Sequence, residues 1–379
     1  MNSTIRIATI SLLAISPALH AETASAGVAC SAKIITFDAP NAGKNPAQAN
    51  CYNSCPGTEP YAINVRGDVT GYLVGDDGSY RGFVRSASGN ITDFSVPGAA
   101  EGTVALSINA EGVVAGQYQD ESGIYHGFLR LPGGALQTFD APGAGTGANQ
   151  GTVPFNIGDD GQVVGFLIDA NSVAHAFVRD TRNRFAVFQV DGDATYTAGP
   201  AGSVINLFGV LNGYSVDANG VQHGYERAYD GQITTFDAPG AGTSAYQGTY
   251  GGGINDLGVL AGVSVDANYV FHGYLRFPDG AFTMFDAPGT GTQAFCGTAP
   301  VANNDFDVVT GYSTDDNNVG HGFVRSPSGQ ITVFDVSSAG QGGGQGTTPW
   351  SINAAGAIAG VYTDSNNVNH GFIREAGCD

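Results

Sequence analysis

The stretch from Thr249 to Asp286, TYGGGINDLGVLAGVSVDANYVFHGYLRFPDGAFTMFD, decides the fold of this chain. Its apolar runs are each closed by a turn signature. Asn255-Asp256-Leu257-Gly258 is a turn, because an asparagine bonds its own backbone and a glycine accepts a positive φ. Val259 to Val265 then reads as a strand. Asp266-Ala267-Asn268 is the next turn, Phe271 to Phe277 a third strand, Pro278-Asp279-Gly280 another turn and Ala281 to Asp286 a fourth strand. With Thr249 to Asn255 in front, the stretch predicts a meander of four short strands, the size of one propeller blade.

Outward from this unit, the same text of about 49 residues recurs seven times between Lys33 and Cys378, with a marker glycine at Gly71, Gly116, Gly165, Gly213, Gly262, Gly311 and Gly360. The place where the repeat is cut sets the topology. The seventh unit ends after its third strand, His370 to Arg374. The missing fourth strand stands at the other end of the chain, where Ile34 to Pro40 matches Thr283 to Pro288. An open solenoid has no use for such an exchange and would want polar caps, whereas a closed ring uses it to remove two sheet edges. The expected fold is therefore all-β: a seven-bladed β-propeller of four-stranded blades, the last blade closed by the N-terminal strand.

Composition agrees with a turn-dense all-β chain: 58 of 379 residues are glycine, about twice the usual share, and only 13% are charged. Met1 to Arg6 carries one cation, Ile7 to Ile15 is apolar, and Ala24-Ser25-Ala26 fits small-residue cleavage, so residues 1–26 read as a signal peptide and 27–379 as one propeller domain. No later run has the length of a membrane span. The formal net charge of −20 argues against nucleic acid and anionic lipid as partners. Export, to an extracellular or periplasmic location, also suits the five cysteines. By alignment Cys30 and Cys378 fall at the same turn of the last blade, so a Cys30–Cys378 bridge would clasp the ring, a closure of roughly 5 kcal/mol in chain-entropy terms. Cys51 and Cys55 share one loop and are expected to pair locally. Cys296 is left over, as a free thiol or as a partner for that loop. No cysteine has zinc spacing.

Several residues recur at one slot. Arg85, Arg130, Arg179, Arg227, Arg276, Arg325 and Arg374 are half of the 14 cations, and a phenylalanine recurs from Phe37 to Phe334. Both read as scaffold, with Arg stems packed on aromatic rings and heads on carboxylates or turn carbonyls. His126, His175, His223, His272, His321 and His370 share another slot, held by Arg81 in the first unit. Each belongs to a different blade, so hydrogen bonding is expected of them and metal ligation is not. The Asp-x-Asn turns lack the further carboxylates of a calcium loop. The glycine-rich runs after the fourth strands lack the lysine and helix of a phosphate loop. No nucleophile-elbow or zincin motif is present, so neither a catalytic residue nor a cofactor nor a metal is assigned.

A symmetric scaffold must be broken to make one site, so the long loops between fourth and first strands are where a ligand is expected. They carry aromatics and amides: Tyr52, Gln150, Tyr196, Tyr246, Gln247, Phe295, Gln345 and the single tryptophan, Trp350, which also reads as a first-strand residue. Aromatics beside amides suit a sugar- or peptide-binding face.

The segment Ile254 to Gly262 followed by His272-Gly273-Tyr274-Leu275-Arg276 resembles the bacterial extracellular HAF-family repeat. The His-Ala-Phe signature itself stands once, at His175-Ala176-Phe177; other units read His-Gly-Phe or His-Gly-Tyr. Arg81, Gly158 and Asp307 mark three units as irregular. The resemblance implies an exported repeat protein and brings no active-site residues. The expected function is a monomeric secreted or cell-envelope binding or scaffold module, for glycans or another envelope component, through the long-loop face. The alternatives are a polysaccharide lyase or glycosidase using carboxylates at the channel mouth, and a purely structural surface protein.

Overall fold

The computed structural model describes residues 32–45, 55–190, 193–196 and 204–377, the stretch 193–196 by its backbone alone. The signal sequence, Cys30, Cys51, Tyr52, Cys378 and the side chain of Tyr196 lie outside the described residues, and with them both expected disulfides. Cys55 is half-buried. Cys296 is a buried free thiol whose Sγ donates to the Asp315 carbonyl at 3.1 Å.

The described residues form twenty-nine strands and no helix. In the deciding unit the strands are Gly248–Ile254, Leu260–Val265, Phe271–Arg276 and Phe282–Phe285, each antiparallel to the next. The turns form for the reasons read in the sequence. Asn255 Oδ1 accepts the backbone N–H groups of Leu257 and Val259 at 3.1 and 2.9 Å, and Gly258 takes φ 78°. Asp266 Oδ1 accepts Asn268 and Val270 at 2.8 and 2.9 Å in the same way. The marker glycine is a matter of space: a Cβ at Gly262 would lie 2.4 Å from the Tyr250 carbonyl oxygen and 2.5 Å from the Tyr274 hydroxyl.

Successive units are joined by the same devices. In six units a threonine near the start of the first strand is fully buried and accepts the backbone N–H at the exit of the preceding fourth strand, as Thr249 does from Ala238 at 2.8 Å and Thr58 from Ala39 at 2.9 Å. The first-turn asparagines reach across as well. Asn64 Nδ2 donates to the Asn109 carbonyl at 3.0 Å, Asn206 to that of Asn255, Asn255 to that of Asn304 and Asn304 to that of Asn353. Asn353 donates back to the Asn64 carbonyl at 2.9 Å, 289 residues away. Gly158 has no side chain to make this link.

Head and tail of the chain meet. Ile34–Phe37 pairs antiparallel with Asn369–Arg374, from Ile34 opposite Arg374 to Phe37 opposite Gly371. At its other end Asn369 bridges in parallel to Gly57, as Phe271 bridges to Gly297 and Gly320 to Gly346 between later units.

The core lies between units. Phe83, Phe128, Phe177, Tyr225, Tyr274, Phe323 and Phe372, all from third strands, are at most 1% exposed. Six of them meet the fourth-strand phenylalanine of the preceding unit edge-on, at 5.8 to 6.3 Å between centroids. All seven recurring arginines then lie over that same phenylalanine, 4.6 to 5.1 Å from its centroid. Burial holds several of these guanidinium groups below their ordinary pKa. Their heads find turn carbonyls, or in one case the Glu226 carboxylate at 2.9 Å from Arg276.

Candidate functional site

The first strands of all seven units face one cavity of about 450 Å³. Each first strand begins at a long loop and ends at an asparagine turn, so the cavity has a long-loop end and an asparagine-turn end. The register of the described first strands slips between the fourth residue and the sixth or seventh, as between Pro60 and Ala62. The residue at that slip varies from unit to unit: Tyr61, Leu106, Phe155, Gly252, Val301 and Trp350.

This variation gives the wall two unlike sectors. On one side Trp350 stacks on Tyr61, at 5.3 Å and 6° between planes, and meets Tyr312 edge-on at 6.1 Å. Tyr61 continues to Tyr72 at 5.8 Å and Tyr72 to Tyr80 at 5.7 Å, so five rings from three units run in one arc, of which Tyr61 and Trp350 line the cavity. In another sector the wall is Gly253, the end of a Gly251-Gly252-Gly253 run packed against neighbouring backbone. A Cβ at Gly253 would come 2.7 Å from Asn303 Oδ1, and Asn212 Nδ2 donates to the carbonyls of Gly252 and Gly253 at 3.1 and 3.3 Å. Two buried polar atoms at the wall have no hydrogen-bond partner, Trp350 Nε1 and Asn303 Oδ1. An apolar wall with a few convergent polar groups has the character of a ligand pocket.

At the long-loop end of the aromatic arc stands Glu59, half-buried. Asn369 Nδ2 hydrogen-bonds its Oε1. Burial pushes the Glu59 carboxyl up to about 7, opposed by the Asn369 bond. Its neighbours are phenols, and burial together with the Glu59 charge pushes Tyr61 up to about 12 and Tyr72 higher still. The sequence reading passed over Glu59. Its signal was available: aligned first strands carry Val104, Val153, Tyr250, Ala299 and Thr348 at this position.

At the asparagine-turn end, a second cavity of about 210 Å³ is ringed by the turns of every unit and includes Asp159, Asp256 and Asp305. These carboxylates clamp neighbouring turns. Asp256 Oδ1 accepts the Leu207 N–H, Asp305 Oδ1 that of Asp256 and Asp159 Oδ1 that of Ala110, at 2.7 to 2.8 Å. Burial, then the charges of Asp305 and Asp159, raises the Asp256 pKa.

The residues expected to bind from the long loops divide into three kinds. The glutamines are engaged within their own loops: Gln247 accepts from Ser244 N at 3.0 Å and donates to the Ala267 carbonyl at 3.1 Å. Gln150 binds Gly147 and Ala170 likewise, and Gln345 binds Gly342 and Asn367. Tyr246 and Phe295 project from the rim, 74% and 63% exposed, and Phe295 meets Tyr269 at 5.6 Å. Tyr246 and Phe295 have positive φ, 65 and 67°, where the aligned loop positions hold Asn149 and Gly344, and Tyr269 has φ 64°, where the aligned turn positions hold Gly220 and Asn318. Trp350 lies in the strand Gly346–Ile352, on the cavity wall and not in a loop.

The recurring histidines make the hydrogen bonds expected of them. Nδ1 of His126, His223, His272, His321 and His370 meets the aspartate after the fourth-strand phenylalanine at 2.8 to 3.1 Å. His175, whose unit has Gln189 there, keeps only Asp169, at 3.2 Å from Nε2. Arg81 replaces the imidazole with an ion pair to Asp93 at 2.8 Å. The turn aspartates are held ionised, Asp217 chiefly by the Val221 N–H and Asp120 by that of Ile124. Among the described residues no helix is long and apolar enough to cross a membrane.

No protein-family model and no curated protein matches the chain. In fold it is similar to virginiamycin B lyase from Staphylococcus aureus, with a TM-score of 0.58 and 14% identity over 91% of this chain and 100% of that one. It is also similar to the BP39L lectin from Burkholderia pseudomallei, with a TM-score of 0.55 and 10% identity over 92% of this chain and 97% of that one. Both are β-propeller proteins, and likeness at such identities speaks to fold alone.

Proposed function

We propose that the chain is an exported seven-bladed β-propeller of the HAF-repeat type that binds glycans, with the saccharide ring stacked on the aromatic arc of the central cavity. Four-stranded blades are supported by the antiparallel runs, and closure by the pairing of Ile34–Phe37 with Asn369–Arg374 and by the Asn353 to Asn64 link. The observation that carries the function is the broken symmetry of the wall, where stacked Tyr61 and Trp350 line the cavity in one sector and Gly253 lines it in another. Sugars present C–H faces to such rings and hydroxyls to amides. Tyr61 and Trp350 supply such rings, and Asn303 Oδ1 and Trp350 Nε1, buried at the wall, lack hydrogen-bond partners.

Binding is favoured over polysaccharide cleavage. Hydrolysis needs two carboxyl groups facing each other across the ligand, and none of the described residues lining the 450 Å³ cavity is acidic. The aspartates at the asparagine-turn mouth are occupied with backbone N–H groups.

Trp350 is the only tryptophan, so its emission reports directly on the wall. A glycan array on the mature protein, followed by fluorescence titration of each hit, should give saturable shifts in Trp350 emission. Trp350→Ala should lose the hits while still unfolding in one cooperative transition. An array without hits for a folded wild type would sink the reading.

A further inference from the structure

The tips of the asparagine turns break the symmetry in a second way. The third residue of the turn is Arg66, Glu111 and Asp160 in the first three units and Ala355 in the seventh. In the fourth, fifth and sixth units it is Phe208, Leu257 and Phe306. With Leu207 and Tyr229 these residues are 51 to 76% exposed. Single exposed apolar residues are ordinary, but a contiguous group marks a contact surface. This group is contiguous because its three turns are bonded side by side. The Leu207 N–H donates to Asp256 Oδ1 and the Asp256 N–H to Asp305 Oδ1, each at 2.8 Å. The Tyr229 ring lies against Gly209, where a Cβ would come 2.7 Å from it.

Charge says what would cover this surface. Leu207 lines the 210 Å³ cavity at this mouth together with Asp159, Asp256 and Asp305. Each of these carboxylates accepts a backbone N–H, which orients it without neutralising it. Among the described residues none of the three joins an ion pair with a lysine or arginine. No lysine follows Lys44, and past Arg184 the only arginines are Arg227, Arg276, Arg325 and Arg374, each lying over a phenylalanine. The charges of Asp305 and Asp159 add to burial in raising the Asp256 pKa, so a cation arriving there relieves a repulsion. A second copy of this chain would bring the same net charge of −20, which opposes that pairing as it opposes an anionic lipid surface. We propose that the asparagine-turn face of the fourth to sixth units docks a polypeptide segment in which lysine or arginine alternates with large apolar residues. Its apolar side chains would rest on Phe208, Leu257 and Phe306, and a cation would sit at the mouth beside Asp256 and Asp305. This surface stands at the other end of the cavity from the long loops and does not depend on the glycan reading.

The test titrates the mature protein with a short peptide alternating lysine and leucine, by calorimetry. Its counterparts alternate glutamate with leucine and lysine with serine. Wild type should bind the lysine–leucine peptide about tenfold or more tighter than either counterpart. The double variant Phe208→Ser with Phe306→Ser should lose about that factor. Asp256→Asn, which keeps the oxygen that accepts the Leu207 N–H, should weaken binding about threefold. Tyr246→Ser, on the long-loop rim, should change nothing. The comparison of peptides on wild type stands even if a variant folds poorly. No binding of the lysine–leucine peptide, equal binding of either counterpart, or equal affinity in wild type and the double variant would overturn the proposal. So would a wild-type dimer in sedimentation that the double variant lacks, or attachment to phosphatidylcholine vesicles without peptide binding, since each names a different occupant.

Discussion

Around the outside, seven arginines lie 4.6 to 5.1 Å over seven phenylalanines. On the cavity wall, one aligned position holds Tyr61, Leu106, Phe155, Gly252, Val301 and Trp350. The outer ladder repeats because every boundary between units poses the same packing problem. A third-strand ring must fill the gap, the preceding phenylalanine must meet it edge-on, and a long cation must cover the outer end. The inner wall is free of that demand. Its residues face a cavity, so they can diverge without opening a void between blades. Exposure to that cavity is what allows Tyr61 and Trp350 to stack in one sector only.

The largest expected effects fall on the repeated part. Phe372 is fully buried and meets Phe334 edge-on at 6.1 Å. Phe372→Ala should cost about 3–5 kcal/mol in denaturant unfolding, because the cavity left lies between two units that cannot collapse together. Trp350→Ala removes a half-buried ring from an open wall and should cost markedly less. Equal losses would mean that the wall is as much scaffold as the ladder.

The next effect belongs to Glu59, on the same first strand as Tyr61, and depends on pH. The Glu59 carboxyl lies at about 7 in the folded protein, above its ordinary 4.5, so the folded state binds the proton more tightly. Stability from this group is full below the unfolded value and is lost as pH rises through about 7. The loss by pH 8 is about 3 kcal/mol. Glu59→Gln should remove it, raising the unfolding midpoint near pH 8 and leaving it little changed near pH 4. A variant with the wild-type pH profile would place the carboxyl in water.

Much of this architecture was legible in the sequence. Asn255, Gly258, Asp266 and Gly280 announced their turns, because an Asx turn or a positive φ is set by one residue and its near neighbours. Even the head-to-tail pairing was readable, since the repeat is cut one strand out of phase. The site was less legible. The glutamines Gln150, Gln247 and Gln345 looked like ligand contacts because amides are generic, and only coordinates show them spent on Gly147, Ser244 and Gly342. Trp350 is one tryptophan beside five unlike residues at its aligned position, and its partners Tyr61 and Tyr312 are far away in the chain. Glu59 is hidden because it is an exception at a position of no fixed type, where the repeat gives no pattern to stand out from.

Within the outer ladder the rungs should differ modestly. Arg276 stacks on Phe236 at 4.6 Å and also holds Glu226 at 2.9 Å. Arg130 stacks on Phe94 at 5.0 Å. Arg276→Ala should therefore cost about 2 kcal/mol and Arg130→Ala about 1 kcal/mol, the difference being the charge-assisted bond. Reversing the order in chemical denaturation would assign the stabilisation to stem packing instead.

The smallest effect probes the seam where the chain closes. His370 Nδ1 meets Asp38 Oδ1 at 2.8 Å, a contact spanning 332 residues of sequence. That bond, more than the opposing burial, raises the His370 pKa above its ordinary 6.5. The folded state thus holds the imidazolium more tightly than the unfolded chain does. The stabilisation is complete below the unfolded pKa and disappears as pH climbs through the folded value. His370→Gln should lose up to about 1 kcal/mol near pH 5.5 and progressively less near pH 8.5. His175→Gln is the internal control, since Gln189 leaves that imidazole with Asp169 at 3.2 Å and no fourth-strand carboxylate. If His370→Gln shows no acid-side loss beyond that of His175→Gln, the contact between Asp38 and His370 contributes nothing to holding the two ends of the chain together.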